Sequence, residues 1–410
     1  MTYDPGQPDA RNQTARPSLT PPSFASALAQ PRVARGATIA PAPSSPAAVP
    51  VKPRAGRTAI VWIIGVIVLI LIGLVGYFLN ALGPAASLIG MLLAIVPLVA
   101  VLFAVRIIDR WEPEPRGLLV LAIAWGAIVA VGITLGVDLL LSLVLGADDS
   151  PMRDAFAAVV QAPVVEEFAK GLGVYLIFVT ARRAFDGPID GVVYGALVGA
   201  GFAFTENIQY FGISFIEGGV VDVSTTFFVR GILSPFAHVM FTSVTGFALG
   251  LAARRGASAG RAIGPWLLGM TGAIALHALW NGSAVFGDFF LLYLTLQVPL
   301  FVGFILGIIA LRREEARLTR SRLGDYAAAG WFTPQEVDML ATGPGRRAAL
   351  DWARGLRGDR TGIMKEFIAD ATALAAARQR AISGRDTNAR EDEHKLLART
   401  AAARAAMFAP

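Results

Sequence analysis

The 410-residue chain contains no cysteine, which excludes disulfides, thiolate metal ligands and cysteine nucleophiles. Charged residues make up only 16% of it, whereas soluble proteins carry about a quarter. Only three histidines are present, so each one inside an apolar segment is informative. The net charge of +6 comes mostly from arginine in the tails and alternate loops. That distribution indicates membrane topology and gives no support for a nucleic-acid partner.

What the chain has in abundance is apolar residues, at 55% of the sequence with a mean hydropathy of +0.58. They are gathered in runs of about 20 residues, the length that a helix needs to cross a bilayer. We therefore predict an all-α, polytopic membrane protein with eight transmembrane helices. The predicted spans are 58–82, 86–108, 117–145, 154–181, 189–211, 225–253, 263–285 and 288–311.

The loops between these spans alternate in basic content. Arginines lie in the N-tail, in the second, fourth and sixth loops and in the C-tail, whereas the intervening loops contain almost no arginine or lysine. By the positive-inside rule, both termini lie in the cytoplasm. An even number of spans agrees with that orientation.

Three domains are predicted. Residues 1–57 are rich in Pro, Ala, Ser and Thr without hydrophobic periodicity, and we expect a disordered cytoplasmic tail. No secretory signal peptide precedes the first apolar run, so that run should be a retained anchor. Residues 58–312 form the eight-span core, and residues 313–410 form a small cytoplasmic helical tail.

The C-terminal tail carries recognisable helix signals. Thr333, Pro334 and Glu336 have the pattern of an N-cap, a proline in the first turn and a capping-box glutamate. Two further helices are expected near 364–382 and 389–407. A partly ordered tail without chemistry and a regulatory element both remain open.

Four of the predicted spans each contain a polar cluster, although ionisable groups are costly at that depth and by default mark a functional site. The clusters comprise Glu166, Glu167 and Lys170; Glu206 and Asn207; His238; and His277 with Asn281. Each cluster begins 16 residues from a charged residue at the cytoplasmic end of its helix, namely Arg182, Asp190, Arg254 and Arg261. At about 1.5 Å per residue this is roughly 24 Å. The four clusters should therefore form one layer in the outer half of the membrane.

Helical spacing refines this picture. Glu166 and Lys170 share a face, as do His277 and Asn281, because each pair is four residues apart. Glu167 points about 100° away from Glu166, so we expect the two glutamates not to face one centre in the same way.

Two features outside the clusters bear on packing. Gly191, Gly195 and Gly199 recur every four residues, which predicts close approach of a neighbouring helix. Arg230 and Asp138 lie near the outer interface, where we expect structural pairing.

Each cluster also has an alternative explanation, either as a structural ion pair or as interhelical hydrogen bonding. Four costly groups in a single layer nevertheless favour one shared site. A desolvated glutamate there would activate a water, and His or Asn donors would hold the developing oxyanion. In the other route, a divalent metal such as zinc would activate the water, with Glu166, Glu206, His238 and His277 as candidate ligands. Both routes lead to amide hydrolysis, and the sequence does not choose between them.

Five ordered motifs resemble the PrsW family of intramembrane proteases, relatives of the CAAX prenyl-protease and bacteriocin-processing superfamily. They are Asp109-Arg-Trp-Glu112-Pro-Glu114-Pro115, Glu166-Glu167-x-x-Lys170, Phe202-x-x-x-Glu206-Asn207, His238-x-x-x-Thr242 and His277-x-x-Trp280-Asn281. The resemblance implies a multi-pass protein of the bacterial cytoplasmic membrane that cleaves a membrane-anchored protein. The implied reaction is site-1 cleavage of a substrate like an anti-sigma factor. The first motif should lie at the cytoplasmic interface, where its charges fix the loop or contact the tail.

The resemblance also implies residue roles. Glu166 would be the general base, Glu167 a supporting carboxylate and Lys170 their charge partner. His277 and Asn281 would position the water or the oxyanion. The superfamily carries a histidine where this chain has Glu206, so the division of labour between Glu206 and His238 stays open, and Asn207 belongs to the same cluster.

A non-proteolytic transporter, or a scaffold built on a protease-like core, is the competing hypothesis. Its conduit should carry polar residues toward both faces, whereas the cytoplasmic halves of these helices are almost wholly apolar. That pattern favours a closed site. The sequence leaves the substrate and the oligomeric state undefined.

Overall fold

The computed structural model describes residues 55–146, 150–384 and 386–408. The predicted disorder of the N-terminal tail therefore lies outside the described residues, apart from its last three positions. Within the described ranges the chain is helical and contains no strand, which confirms the all-α class.

Twelve helices can be distinguished in the described part of the chain. In order they are α1 (Ala55–Ala81), α2 (Gly83–Ile108), α3 (Arg116–Leu145), α4 (151–180), α5 (Pro188–Phe227), α6 (Ala237–Arg254), α7 (Ala259–Phe286), α8 (Phe289–Ala328), α9 (Pro334–Leu340), α10 (Gly343–Arg354), α11 (Thr361–Ser383) and α12 (Ala389–Met407).

Six helical segments of the described chain are long and apolar enough to cross a membrane. They are α1, α2, α3, the continuous stretch Pro188–Arg254, α7 and α8. Helix α4 falls outside this set because Glu166, Glu167 and Lys170 lie within five residues of one another in it. The protein is a multi-pass membrane protein, and the count of eight spans with both termini inside stays a prediction.

The predicted sixth span, 225–253, is wrong as a single helix. Helix α5 continues past residue 211 and contains a break at Gly218 and Gly219, where Gly219 has a φ of 62°. A π-helical turn, Phe228–Leu233, follows, and the chain leaves helical geometry at Ser234 (φ −129°, ψ 32°). Ser234 precedes Pro235, whose ring disfavours helical geometry in the residue before it. Helix α6 then begins at Ala237.

The glycine repeat in α5 brings α6 against it, as predicted. A Cβ added at Gly191 would lie 2.0 Å from the carbonyl oxygen of Gly246, and one at Gly199 would lie 2.4 Å from that of His238. Real side chains do not tolerate such distances, so only glycine permits this backbone contact. The contact fixes α6, with His238 near its start, beside the polar part of α5.

The C-terminal tail is connected to the membrane core by a continuous helix. Helix α8 runs from Phe289 to Ala328 and so crosses the predicted domain boundary at 312–313 without a break. Thr333 caps α9 with the predicted capping box, since the Glu336 amide donates to Thr333 Oγ1 and the Thr333 amide donates to Glu336 Oε2. The two later helices predicted for the tail are α11 and α12, and the tail has its own apolar core.

The loop between α2 and α3 both orders itself and contacts the tail, as expected. The Glu114 amide donates to the Asp109 carboxylate at 3.1 Å, and Tyr194 donates to Glu114 at 2.6 Å. Trp111 donates its indole N–H to Thr319 in α8 at 3.2 Å and stacks under the guanidinium of Arg346 in α10. The loop therefore joins the membrane core to the tail.

Candidate active site

Lys170 lies at the centre of the polar layer and is fully buried. Its Nζ is 2.7 Å from Glu167 Oε1 and 3.2 Å from Glu166 Oε2. The two glutamates were expected not to face one centre in the same way, and although they differ in their other partners, both contact this lysine. One flexible lysine, three and four residues further along the helix, reaches both carboxylates.

Glu167 is the more completely engaged of the two glutamates. Besides Lys170, it accepts a hydrogen bond from Thr242 Oγ1 at 3.0 Å and lies 3.1 Å from His277 Nδ1. Its side chain is fully buried, whereas Glu166 keeps 6% exposure and lies 3.9 Å from His277 Nε2. The geometry thus separates a saturated carboxylate from one that still has an accessible edge.

His238 connects the paired glutamates to the cluster on α5. Its Nδ1 lies 3.1 Å from Lys170 Nζ, and its Nε2 lies 2.8 Å from Glu206 Oε2. The imidazoles of His238 and His277 meet nearly at right angles, with ring centroids 5.0 Å apart. Helices α4, α5, α6 and α7 therefore contribute to one contiguous group, as the depth argument predicted.

Arg230 is paired, as expected, and its partners belong to the polar cluster on α5. It forms an ion pair with Glu206, donates through Nε to Asn207 Oδ1 at 2.8 Å and stacks over Tyr210 at 3.8 Å. Asp138 instead accepts a hydrogen bond from Gln161 at 2.9 Å. Sequence reasoning did not name Glu206 as the partner of Arg230, because it treated the segment as one straight helix, although Ser234 and Pro235 were a signal of a break.

Asn281 has a different neighbourhood from His277, although both lie on α7. Its amide donates to the carbonyl oxygen of Ala158 at 2.7 Å. That oxygen belongs to a π-helical turn, Ala157–Gln161, in α4. The bond links α7 to α4, and the oxyanion role of Asn281 stays a prediction.

Two tryptophans missed by the sequence reasoning hold the α4 backbone next to the site. Trp125 donates its indole N–H to the carbonyl of Ala169 at 2.9 Å, and Trp266 donates to that of Gly171 at 2.8 Å. Both acceptors flank Lys170 in the chain. A Cβ at Gly173 would lie 2.2 Å from the Trp125 ring, so that glycine makes room for the indole. Nothing in the spacing of these tryptophans pointed to the site.

Comparison with known proteins identifies the family. A family model described as PrsW family intramembrane metalloprotease matches residues 114–304. "Protease PrsW" of Geobacillus kaustophilus (strain HTA426) is 32% identical over 158 residues, covering 38% of this chain and 64% of that protein. "Protease PrsW" of Bacillus subtilis (strain 168) is 29% identical over 189 residues, covering 46% of this chain and 78% of that protein. The chain belongs to the PrsW family.

The match to the PrsW family contains the whole four-helix polar cluster and leaves out the tail from α9 onward. "Protease PrsW" of Clostridioides difficile (strain 630) is 30% identical over 156 residues, 63% of its length. No solved structure matches the chain. The family assignment therefore rests on sequence, and the geometry of the site comes from this structure.

The family description names a metal, and the donor set of this PrsW-family protein fits one. Glu166, His238 and His277 are all buried and offer one ligand atom each, and these atoms lie within 4.8 Å of one another. Two imidazoles and one carboxylate are a common protein ligand set for catalytic zinc. Glu206, the fourth candidate ligand, lies against His238 instead of within this group.

Proposed function

We propose that this PrsW-family protein is an intramembrane endopeptidase that cleaves a membrane-anchored protein. The observation that carries the proposal is the group formed by Glu166, Glu167, Lys170 and His277, which is buried between helices of a multi-pass membrane protein. Placing several ionisable groups there costs free energy that a purely structural packing of helices would avoid. Their chemistry suits the activation of water against an amide bond.

Glu166 is the general base in this proposal. It takes a proton from a water as the water oxygen adds to the peptide carbonyl carbon. Collapse of the resulting tetrahedral species breaks the C–N bond, and the same proton passes to the departing amine. Glu167 is less suited, because Lys170, Thr242 and His277 already occupy its oxygens.

Lys170 and His277 prepare the site for this step. The Lys170 ammonium contacts both carboxylates, so it offsets the repulsion between two negative charges in a medium of low dielectric. His277 keeps one ring nitrogen on Glu167 and turns the other toward Glu166. Because Nδ1 donates to Glu167, Nε2 donates to the developing oxyanion only in the imidazolium form of the ring.

A divalent metal such as zinc, held by Glu166, His238 and His277, would supply a water of lowered pKa and would polarise the carbonyl. Glu167 and Glu206 would then orient the two histidine ligands. Glu167 would orient His277 through Nδ1, and Glu206 would orient His238 through Nε2. His238 Nδ1 would then exchange its contact with Lys170 Nζ for the metal. That assignment gives Glu206 a positioning role next to a histidine.

The depth of the polar layer supports a substrate cut near the outer boundary of the membrane. A single-span protein resembling an anti-sigma factor, cut first at this position, is the proposed substrate class. The cytoplasmic membrane of a bacterium is the proposed location, since the named relatives are bacterial proteins.

The test replaces single carboxylates in the full chain and follows cleavage of a co-expressed, tagged single-span substrate. Glu166→Gln should lower the cleavage rate by about 10²-fold to 10⁴-fold, the contribution typical of a general base. Asp138→Asn is the matched control, because Asp138 is also a membrane-helix carboxylate but contacts Gln161 outside the site. Full activity of the Glu166→Gln protein would refute the mechanism.

The metal is tested separately on purified protein. Bound zinc should be measurable by elemental analysis, and His238→Ala should lower the metal content together with activity. A chelator should abolish cleavage, and added zinc should restore it. If protein shown to be free of metal cleaved the substrate at the wild-type rate, the metal route would be excluded and the route through glutamate alone would stand.

A further inference from the structure

A basic cavity of about 320 Å³ lies where the membrane core meets the tail. Five basic residues line it, and none of its lining residues is acidic. They are Arg110, Arg312, Arg346, Arg347 and Lys365. They come from the end of α2, from α8, and from the tail helices α10 and α11. Three separate parts of the chain therefore converge on one strongly positive space.

In the described part of the chain these positive charges are not paired directly with carboxylates, although Glu315 acts on Arg312 and Arg346 at longer range. Within the described ranges, none of the five forms an ion pair. Arg346 instead donates to the carbonyl of Leu340 at 2.7 Å and to Thr372 at 2.8 Å. Burial lowers the pKa of Arg346 to about 10, which leaves it charged at neutral pH. Glu112 and Glu315, whose charges act on Arg346, line a different cavity.

An apolar groove of about 290 Å³ adjoins this cavity. Helices α2, α5, α6 and α8 form it, together with Phe236 just before α6, and its residues include Val101, Ile108, Val192, Phe301 and Phe304. Arg312 lines both the groove and the basic cavity. The two spaces therefore meet at a single cationic side chain.

The basic cavity lies at the ends of two apolar segments, and the groove extends from it along them. Arg110 follows the end of α2 at Ile108 by two residues, and Arg312 closes the apolar part of α8. Trp111, which also lines the basic cavity, is of the residue type enriched at membrane interfaces. Basic pockets beside membrane helices attract anionic lipid headgroups.

We propose that these two spaces form a binding site for an anionic phospholipid. The phosphate group lies in the basic cavity, and an acyl chain occupies the groove next to Arg312. A free phosphate ion would satisfy the cations but would leave the adjoining groove without an occupant. Because α10 and α11 contribute to the cavity, the bound lipid stabilises the tail against the core. This site is independent of the proposed proteolysis.

The test measures lipid binding to the purified full chain by native mass spectrometry, with phosphatidylglycerol, phosphatidylcholine and inorganic phosphate as separate ligands. The test variant is Arg110→Gln, Arg347→Gln and Lys365→Gln, three exposed residues of the cavity. The control removes three exposed arginines that also flank apolar segments but line neither space. It is Arg116→Gln, Arg255→Gln and Arg261→Gln.

The wild-type protein should prefer phosphatidylglycerol to phosphatidylcholine, and the test variant should bind phosphatidylglycerol about 100-fold more weakly, given the usual contribution of each basic group at an anionic surface. The control variant should change binding by less than about threefold, because it keeps the cavity. Equal losses in both variants would overturn the proposal, since they would show diffuse surface attraction. Binding of inorganic phosphate that matches phosphatidylglycerol would also overturn it.

A groove variant tests the acyl-chain part. Ala104→Trp places an indole in the apolar groove and should weaken binding of phosphatidylglycerol while leaving inorganic phosphate unaffected. If Ala104→Trp blocked substrate cleavage yet left lipid binding at the wild-type level, the groove would be a docking site for a substrate helix. That result would refute the lipid assignment.

Discussion

Gly199 offers a sharp test of how the site is assembled. It lies on α5, where an added Cβ would be 2.4 Å from the carbonyl oxygen of His238 and 3.0 Å from the amide nitrogen of Val239. Ordinary van der Waals contacts begin at 3.4 Å. Gly199→Ala therefore requires the start of α6 to withdraw by about 1 Å, and both clashing atoms are backbone, so a side-chain rotation cannot relieve the strain.

Withdrawal of the start of α6 would move His238 and so change the site. Its Nε2 is 2.8 Å from Glu206 and its Nδ1 is 3.1 Å from Lys170, so a shift of about 1 Å breaks both contacts. Misplacement on this scale lowers enzymatic rates about 10²-fold. Overpacking should also destabilise the fold by about 1 to 3 kcal/mol. Gly195→Ala, with its nearest atom at 2.7 Å, should give a smaller effect of the same kind.

The assay is cleavage of a co-expressed single-span substrate, together with thermal unfolding of the purified variants in detergent. Gly136→Ala is the control, because Gly136 is an exposed glycine within α3 that has no atom within 4 Å of an added Cβ. It should cleave at the wild-type rate. If Gly199→Ala matched Gly136→Ala in both measurements, the inferred backbone contact between α5 and α6 would be wrong.

Three further predictions concern other parts of the molecule. Arg230→Gln should lower the free energy of unfolding by about 2 kcal/mol because Glu206 loses its ion pair, and adding Glu206→Gln should recover part of that loss; double-mutant thermal unfolding measures both. Trp125→Phe should cost about 1 kcal/mol through the lost hydrogen bond to Ala169, and an unchanged melting temperature would contradict it. Burial raises the pKa of Asp109 from 3.8 to about 6, so its protonated form favours the folded state. Stability should therefore fall by roughly 1 kcal/mol as pH rises from 4 to 6.5, after allowance for solvent screening, and Asp109→Asn should abolish that dependence in unfolding measured against pH.

The polar layer was predictable because the position of a residue along a helix follows from its distance in sequence from the charged helix end. Counting residues from charged helix ends placed Glu166, Glu206, His238 and His277 at one level, and the structure brings them into one group. Fixed rise per residue makes such a count reliable for straight helices. The count does not extend to segments in which the helix is broken.

The partners of Arg230 were not predicted, because its segment was treated as one straight helix. The break before Pro235 and the glycine pair at 218–219 change the path of the chain between α5 and α6. A straight axis therefore does not predict which side chains lie next to Arg230. Glycine pairs and the residue before a proline are warnings of this kind, and they were visible in the sequence.

The contacts of Lys170 could not be derived from periodicity. The angle between Glu166 and Glu167 follows from the helix, but the reach of a four-carbon side chain does not. Packing against Phe202, whose ring centroid lies 4.0 Å from Lys170 Nζ, contributes to the position of the ammonium. Such contacts depend on neighbouring helices and appear only in three dimensions.

The unbroken course of α8 limits how the tail can move. Val298–Ala328 is one helix of 31 residues, roughly 46 Å long at the usual rise. A helix of this kind transmits rotation along its axis, so a turn of the tail about α8 also turns the face that Phe301 and Phe304 present in the membrane. Trp111 opposes that rotation at a second point, because it contacts α8 through Thr319 and α10 through Arg346. Rotation of the tail about α8 therefore requires the contacts of Trp111 with Thr319 and Arg346 to break.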